Sequence, residues 1–159
     1  MNEKNTVCGV WGNCTIPQEK TGTFKQQIKM QLLEKIEQRC NDFFVIFTNQ
    51  ADMIFMDVAL ELQKEYQITI RILIPFFKWM GTISKSERQQ REKYLDLVNE
   101  PCCFCADKAY HDIMSICSCT LVDYCDNLLI IYDGQPNDAT VGMITLAEFL
   151  DYKTEYIRL

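Results

Sequence analysis

Two kinds of chemistry lie within reach of these residues. The first is anion binding at backbone turns: Gly12 and Asn13 follow the apolar stretch Val7 to Val10, Asn49 follows Phe43 to Phe47, and Gly134 to Thr140 follow Leu128 to Tyr132. At each place an apolar segment stops and a small polar turn begins, and a turn that opens a helix presents free N–H groups to a phosphate. Gly, Asn, Asp and Thr are also what ordinary turns and caps use, so the same positions read equally as punctuation. The second is sulfur chemistry, because the run PCCFCADKAYHDIMSICSC holds Cys102-x-x-Cys105, Cys117 and Cys119, superficially a zinc set. Geometry opposes chelation. In a strand Cys102 and Cys105 point to opposite faces, and in a helix Cys117 and Cys119 diverge by about 200°. Small buried thiols are the simpler reading, and no metal site is expected.

Other candidates are weaker. His111 is the sole histidine and falls on an expected exposed helix face, so a histidine-based triad has no second imidazole to draw on. Trp79, with Phe76 and Phe77, could stack on a base or simply cover a sheet, and packing is the commoner role of aromatics. The charged run Ser84 to Lys93 reads as a solvated face.

Composition bounds the partners. A chain of 159 residues can bury a core of its own, and 48% hydrophobic with 24% charged residues is a globular rather than a disordered balance. One domain is therefore expected. The net charge of −6 lacks the basic footprint that phosphate backbones select, so neither nucleic acid nor an anionic membrane is an expected partner. The opening MNEKNTVCGV has no apolar run of an export signal, and no window approaches the roughly 18 apolar residues of a spanning helix. A cytoplasmic location follows as the expectation, and there the nine cysteines stay reduced.

Periodicity supplies the elements that must position these turns. Val7 to Val10 reads as a buried strand. Thr23 and Gln26 form a possible capping box for a helix whose apolar face is Phe24, Ile28, Leu32, Ile36 and Cys40, its lysines and glutamines facing water. Phe43 to Phe47 is continuously apolar, as in a strand covered on both faces. Asp52 is the expected cap of a helix burying Ile54, Phe55, Val58, Ala59 and Leu62. Ile68 to Ile74 is a third strand closed by Pro75, with Arg71 placing it near an edge or an interface. Ser84 and Glu87 make a second capping box for a helix running to about Val98, and Cys102 to Cys105 a fourth strand. Asp107 would cap a helix bearing Tyr110, Ile113, Met114 and Cys117. The strand Leu128 to Tyr132, a helix from Thr140 to Leu150 and a strand Tyr156 to Leu159 finish the chain. Strands alternating with helices imply an α/β fold, a single Rossmann-like three-layer sandwich with a mainly parallel sheet.

The order of the motifs adds a resemblance. VWGN after the first strand, Met56-Asp57 on an alanine-bearing helix, Pro75-Phe76, Arg91 and Tyr94, Val122-Asp123, then LIIYDG from Leu129 to Gly134 with Thr140 beyond it, together resemble the YpsA-like branch of the SLOG superfamily. These are Rossmann-like proteins related to DprA and to the LOG phosphoribohydrolases. The resemblance implies a pocket for a nucleotide or nucleotide-derived ligand built from Gly12, Asp57, Asp123, Gly134 and Thr140, and it makes a homo-oligomer plausible. With Asn13, Asn49 and Asp138 these form the candidate ligand-binding set.

Departures from the family pattern matter as much. Asp138-Ala139-Thr140 stands where the family has Gly-Gly-Thr, so a carboxylate meets the expected phosphate and a cation such as magnesium would have to intervene. NQADMIFMD has no glycine, and Cys117 and Ser118 replace an arginine and an asparagine. Met143 occupies the position of the phosphoribohydrolase glutamate, so no catalytic residue is assigned. The expected function is a small binding module with a degenerate pocket, a sensor or regulator that requires no cofactor. The alternatives are an interaction protein that kept the fold and lost the pocket, and a LOG-like nucleotide N-glycosidase that releases free base.

Overall fold

The computed structural model describes residues 6–76, 78–98, 103–106 and 112–158. Six strands and five α-helices alternate along them: β1 Val7–Gly12, α1 Thr21–Glu37, β2 Asp42–Ile46, α2 Gln50–Leu62, β3 Thr69–Phe76, α3 Lys85–Leu95, β4 Cys103–Ala106, α4 Ile113–Tyr124, β5 Asn127–Tyr132, α5 Asp138–Phe149 and β6 Lys153–Arg158. The strands form one open sheet in the order β4-β3-β2-β1-β5-β6, and every neighbouring pair is parallel. Parallel neighbours require helical crossovers, which here cover both faces. Phe24, Ile28 and Leu32 of α1 and Phe55, Val58 and Ala59 of α2 bury one face of the sheet, with Tyr94 and Leu95 of α3 packed against them. Leu121 and Val122 of α4 with Met143 and Ala147 of α5 bury the other. The fold is the Rossmann-like α/β sandwich that the alternation implied.

Several local expectations shift. A short 3-10 turn at Gln18–Lys20 starts α1 three residues earlier, so Thr23 lies inside the helix and its capping box with Gln26 does not form. Lys35 does not face water: it is 2% exposed. Asn49, not Asp52, caps α2; Asp52 is the third helical residue and completes a capping box from inside. Pro75 lies within β3 rather than ending it, because pairing to β4 runs through Ile74 and Phe76 and asks no N–H of the proline. The capping box of Ser84 and Glu87 opens α3 as expected, although that helix ends at Leu95. Asp112 caps α4, and α5 and β6 begin two and three residues earlier than their apolar patterns suggest. Phe77, Cys102, Asp107, Tyr110 and His111 lie outside the described residues.

Arg71 lies close to an edge of the sheet, on β3 beside the edge strand β4. Among the described residues β4 pairs with β3 from Leu73 onward, and Arg71 pairs with Phe44 of β2. There Arg71 Nε donates to Asp42 Oδ1 at 3.1 Å, and its guanidinium lies 5.8 Å from the centre of the Phe44 ring.

Candidate functional site

The chain order reverses between β1 and β5, and in an open parallel sheet a crevice opens at the carboxyl ends of the strands on either side of that reversal. Three loops meet at this edge. At the end of β1, an added Cβ on Gly12 would lie 3.1 Å from Ala51 Cβ and 3.2 Å from Asp52 Oδ1, so a larger residue would press on the first turn of α2. Asn49 binds the same segment, its Nδ2 donating to the Gly12 carbonyl while its Oδ1 accepts from Ala51 N at 3.0 Å. The loop after β5 turns at Gly134, whose φ of +86° suits glycine, and Asn137 caps α5 by accepting from Thr140 N at 2.9 Å. The Thr140 hydroxyl is buried and donates to the same oxygen at 3.1 Å.

The first and third loops are tied together. Asn13 Nδ2 donates to Asn137 Oδ1 at 3.3 Å, and Asn137 Nδ2 donates to the Asn13 carbonyl at 3.4 Å. Six of the eight candidate residues, Gly12, Asn13, Asn49, Gly134, Asp138 and Thr140, therefore lie on the loops and helix starts at one edge of the sheet. Asp57 and Asp123 do not join them. Asp57 sits two turns into α2, bound by Lys25 at 3.0 Å and by the Tyr94 hydroxyl at 2.7 Å. Asp123 is exposed in the last turn of α4, beside the amino end of β5, where it borders a separate cavity with Arg71 and Cys105.

Behind Gly12 lies a buried charge pair that the sequence reading missed. Asp52 is fully buried; its Oδ2 accepts from Thr48 N at 2.8 Å and Asn49 N at 3.0 Å, while Oδ1 has no hydrogen-bond partner among the described residues. Burial pushes its carboxyl up to about 7, opposed by those two N–H groups and by the charge of Arg91. Arg91 is itself 2% exposed, its guanidinium 4.8 Å from the Phe47 ring centre and 5.2 Å from that of Trp79. Trp79 thus packs on an arginine. The available signals were a cap residue three positions before Asp52, and Arg91 three residues before Tyr94 on the same helix.

A groove of about 460 Å³ opens next to the crevice, between the first turns of α4 and α5. Asp112, Ser115 and Ser118 line it from α4, and Asp138, Gly142 and Met143 from α5. Trp11 fixes its floor, the indole Nε1 donating to Ser118 Oγ at 3.1 Å while that hydroxyl donates to Met114 O at 2.8 Å. Its rim is acidic. Ser115 Oγ donates to Asp112 Oδ2 at 2.6 Å, and hydrogen bonds from Ser115 hold the Asp112 carboxyl below its usual range. Met143, almost wholly buried, offers a thioether rather than an acid or a base.

An open all-parallel sheet, covered on both faces, with turns gathered beside its chain reversal, defines the Rossmann-like class of α/β proteins. A family model described as the YspA SLOG family matches residues 14–158, and the chain belongs to that family. No curated protein matches it. Among the described residues no helix is long and apolar enough to cross a membrane.

Proposed function

We propose that this protein is a binding module for a nucleotide or nucleotide-derived ligand, acting as a sensor or regulatory component rather than as an enzyme. The observation that carries this reading is the groove between α4 and α5, whose roughly 460 Å³ falls in the range of small-molecule sites and which takes in the first turn of α5 at Asp138. Membership of the SLOG family supports the ligand class. Met143 supports the absence of glycosidic cleavage, because the position that would hold the family's carboxylate holds a buried thioether. Among the described residues no three acidic, histidine or cysteine side chains gather around one point. A magnesium ion would therefore arrive with the ligand's phosphate and be shared with Asp112 or Asp138, relieving the repulsion between those carboxylates and the phosphate.

A second reading, an interaction protein that kept the fold, has its own support. The pairing of Asn13 with Asn137 bridges the crevice, and Asn49 and Asp52 occupy N–H groups at the start of α2 that an anion would otherwise use.

Thermal-shift titration with nucleoside mono-, di- and triphosphates, NAD, ADP-ribose and cyclic nucleotides, with and without magnesium, separates the two. A ligand at about 100 times its Kd adds roughly 2.7 kcal/mol, a rise in Tm of about 5–10 °C for a domain of this size. Gly142→Phe should abolish the shift without lowering the Tm of the free protein, since an added Cβ there meets nothing within 4 Å. No shift across the panel favours the interaction protein. Release of free base from a nucleoside monophosphate would overturn the non-catalytic reading.

A further inference from the structure

The second cavity, on the far side of α4 from the groove, holds chemistry that ligand binding does not use. Cys105 on β4 borders this space of about 320 Å³ together with Arg71, Thr120 and Asp123, and the cysteine is only partly buried. Cys117, fully buried on the facing side of α4, places its Sγ 3.3 Å from that of Cys105 in a thiol–thiol hydrogen bond. We propose that these two residues are a redox-active dithiol, Cys105 reacting with a hydroperoxide and Cys117 closing an intramolecular disulfide.

Three features support the assignment of roles. Closing the bond needs the sulfurs to approach by only about 1.3 Å from their 3.3 Å separation. Access is one-sided: an oxidant entering the cavity meets Cys105 and finds Cys117 sealed behind it. Charge preference points the same way. The hydrogen bond between the two sulfurs and contact with Thr120 hold the Cys105 thiol below its usual range, whereas the same hydrogen bond and burial push Cys117 well above it. The thiolate, which is the nucleophile, therefore forms on the accessible sulfur. Cys8 and Cys40 are both buried. Cys119 is exposed but leaves α4 about 200° away from Cys117.

The steps balance. The Cys105 thiolate attacks one peroxide oxygen, the O–O bond breaks, and Cys105 becomes a sulfenic acid while hydroxide leaves and is protonated to water. The Cys117 sulfur then attacks the Cys105 sulfur, the S–O bond breaks, and the hydroxyl leaves as water with the Cys117 proton. Two thiols lose two electrons, and hydrogen peroxide is reduced to two waters.

The test is peroxide titration of the full chain, followed by maleimide blocking, tryptic digestion and mass spectrometry. Cleavage after Lys108 separates the two cysteines, so a disulfide joins two peptides, and fragmentation assigns the sulfurs. The expected product is a Cys105–Cys117 link that forms before Cys119 loses its maleimide reactivity and that dithiothreitol reverses. In Cys117→Ser, dimedone should trap a sulfenic acid at Cys105; in Cys105→Ser, Cys117 should stay unmodified. Oxidation of Cys119 ahead of Cys105, a link through Cys102 or Cys103 instead, or modification of Cys105 with no link in the wild-type protein would each overturn the proposal. The wild-type peptide map decides it even if a variant fails to fold.

Discussion

Lys35 Nζ donates a 2.7 Å hydrogen bond to Asn127 Oδ1, joining a buried lysine of α1 to the first residue of β5. The same ammonium lies 3.1 Å from Glu155 Oε2 on β6, so one side chain ties a helix to two adjacent strands near their amino ends. Asn127 completes the arrangement by donating to Cys40 Sγ at 3.8 Å.

Lys35→Met keeps most of the side-chain volume but leaves the Asn127 oxygen without its donor, and Glu155 keeps only the longer 3.7 Å contact with Lys153. We expect a loss of about 2 kcal/mol, because a hydrogen bond to a charged group is removed while its buried acceptor stays behind. Urea unfolding checks this as a lower midpoint at unchanged m.

Asp52 predicts a pH signature. Its carboxyl, near 3.8 when unfolded, is pushed up to about 7 in the folded protein, so the folded state holds the proton more tightly. Its contribution to stability is therefore greatest below pH 4, falls between pH 4 and 7, and is level above. Asp52→Asn keeps an acceptor for Thr48 N and Asn49 N and removes the titration. The stability of the wild type minus that of the variant should fall by about 1.4 kcal/mol per pH unit through the middle of that window. Denaturant midpoints at pH 4.5 to 8 measure it, and parallel profiles would place Asp52's titration elsewhere.

Arg91 is the cation that restrains this shift. In Arg91→Met the thioether can still pack between Phe47 and Trp79, but the charge that favours the Asp52 carboxylate is gone. The Asp52 midpoint should rise above about 7. Carbon-13 NMR of the Asp52 carboxyl reads it directly. An unchanged midpoint would mean that the Thr48 and Asn49 N–H groups are the only substantial restraint.

Gly9 is required by packing rather than by backbone conformation. An added Cβ would stand 2.8 Å from Leu121 Cγ, 2.9 Å from Cys125 Sγ and 2.9 Å from Leu128 Cδ2, three buried atoms on α4, the α4–β5 turn and β5. Gly9→Ala should cost about 1–3 kcal/mol through overpacking, whereas Gly142→Ala should be neutral or stabilising. Thermal unfolding of the two variants side by side makes the comparison.

Much of the fold was legible because it rests on short-range pattern. FFVIF and LLIIY read as buried strands from apolar continuity, and Ser84 with Glu87 read as a helix start because a capping box is completed within four residues. Two readings failed for the opposite reason. The amphipathic spacing of α1 treated Lys35 like its other lysines, since the partners that draw it inward, Asn127 and Glu155, are about a hundred residues away. Asp52 read as the cap of α2, and only the approach of Gly12 and Arg91 shows it as a buried carboxyl inside the helix.

The sequence by itself determined the alternation of strands and helices, the parallel sheet that alternation demands, and the turns after β1, β2 and β5 where small polar residues interrupt apolar runs. Tertiary structure alone decided which of those residues meet. Strand order brings the Gly12 and Asn137 loops together and leaves Asp57 and Asp123 elsewhere, because the order of strands is set by which apolar faces pack, not by distance along the chain. It likewise set Cys105 against Cys117, a pair that spacing could neither require nor exclude, by laying α4 across the edge strand β4.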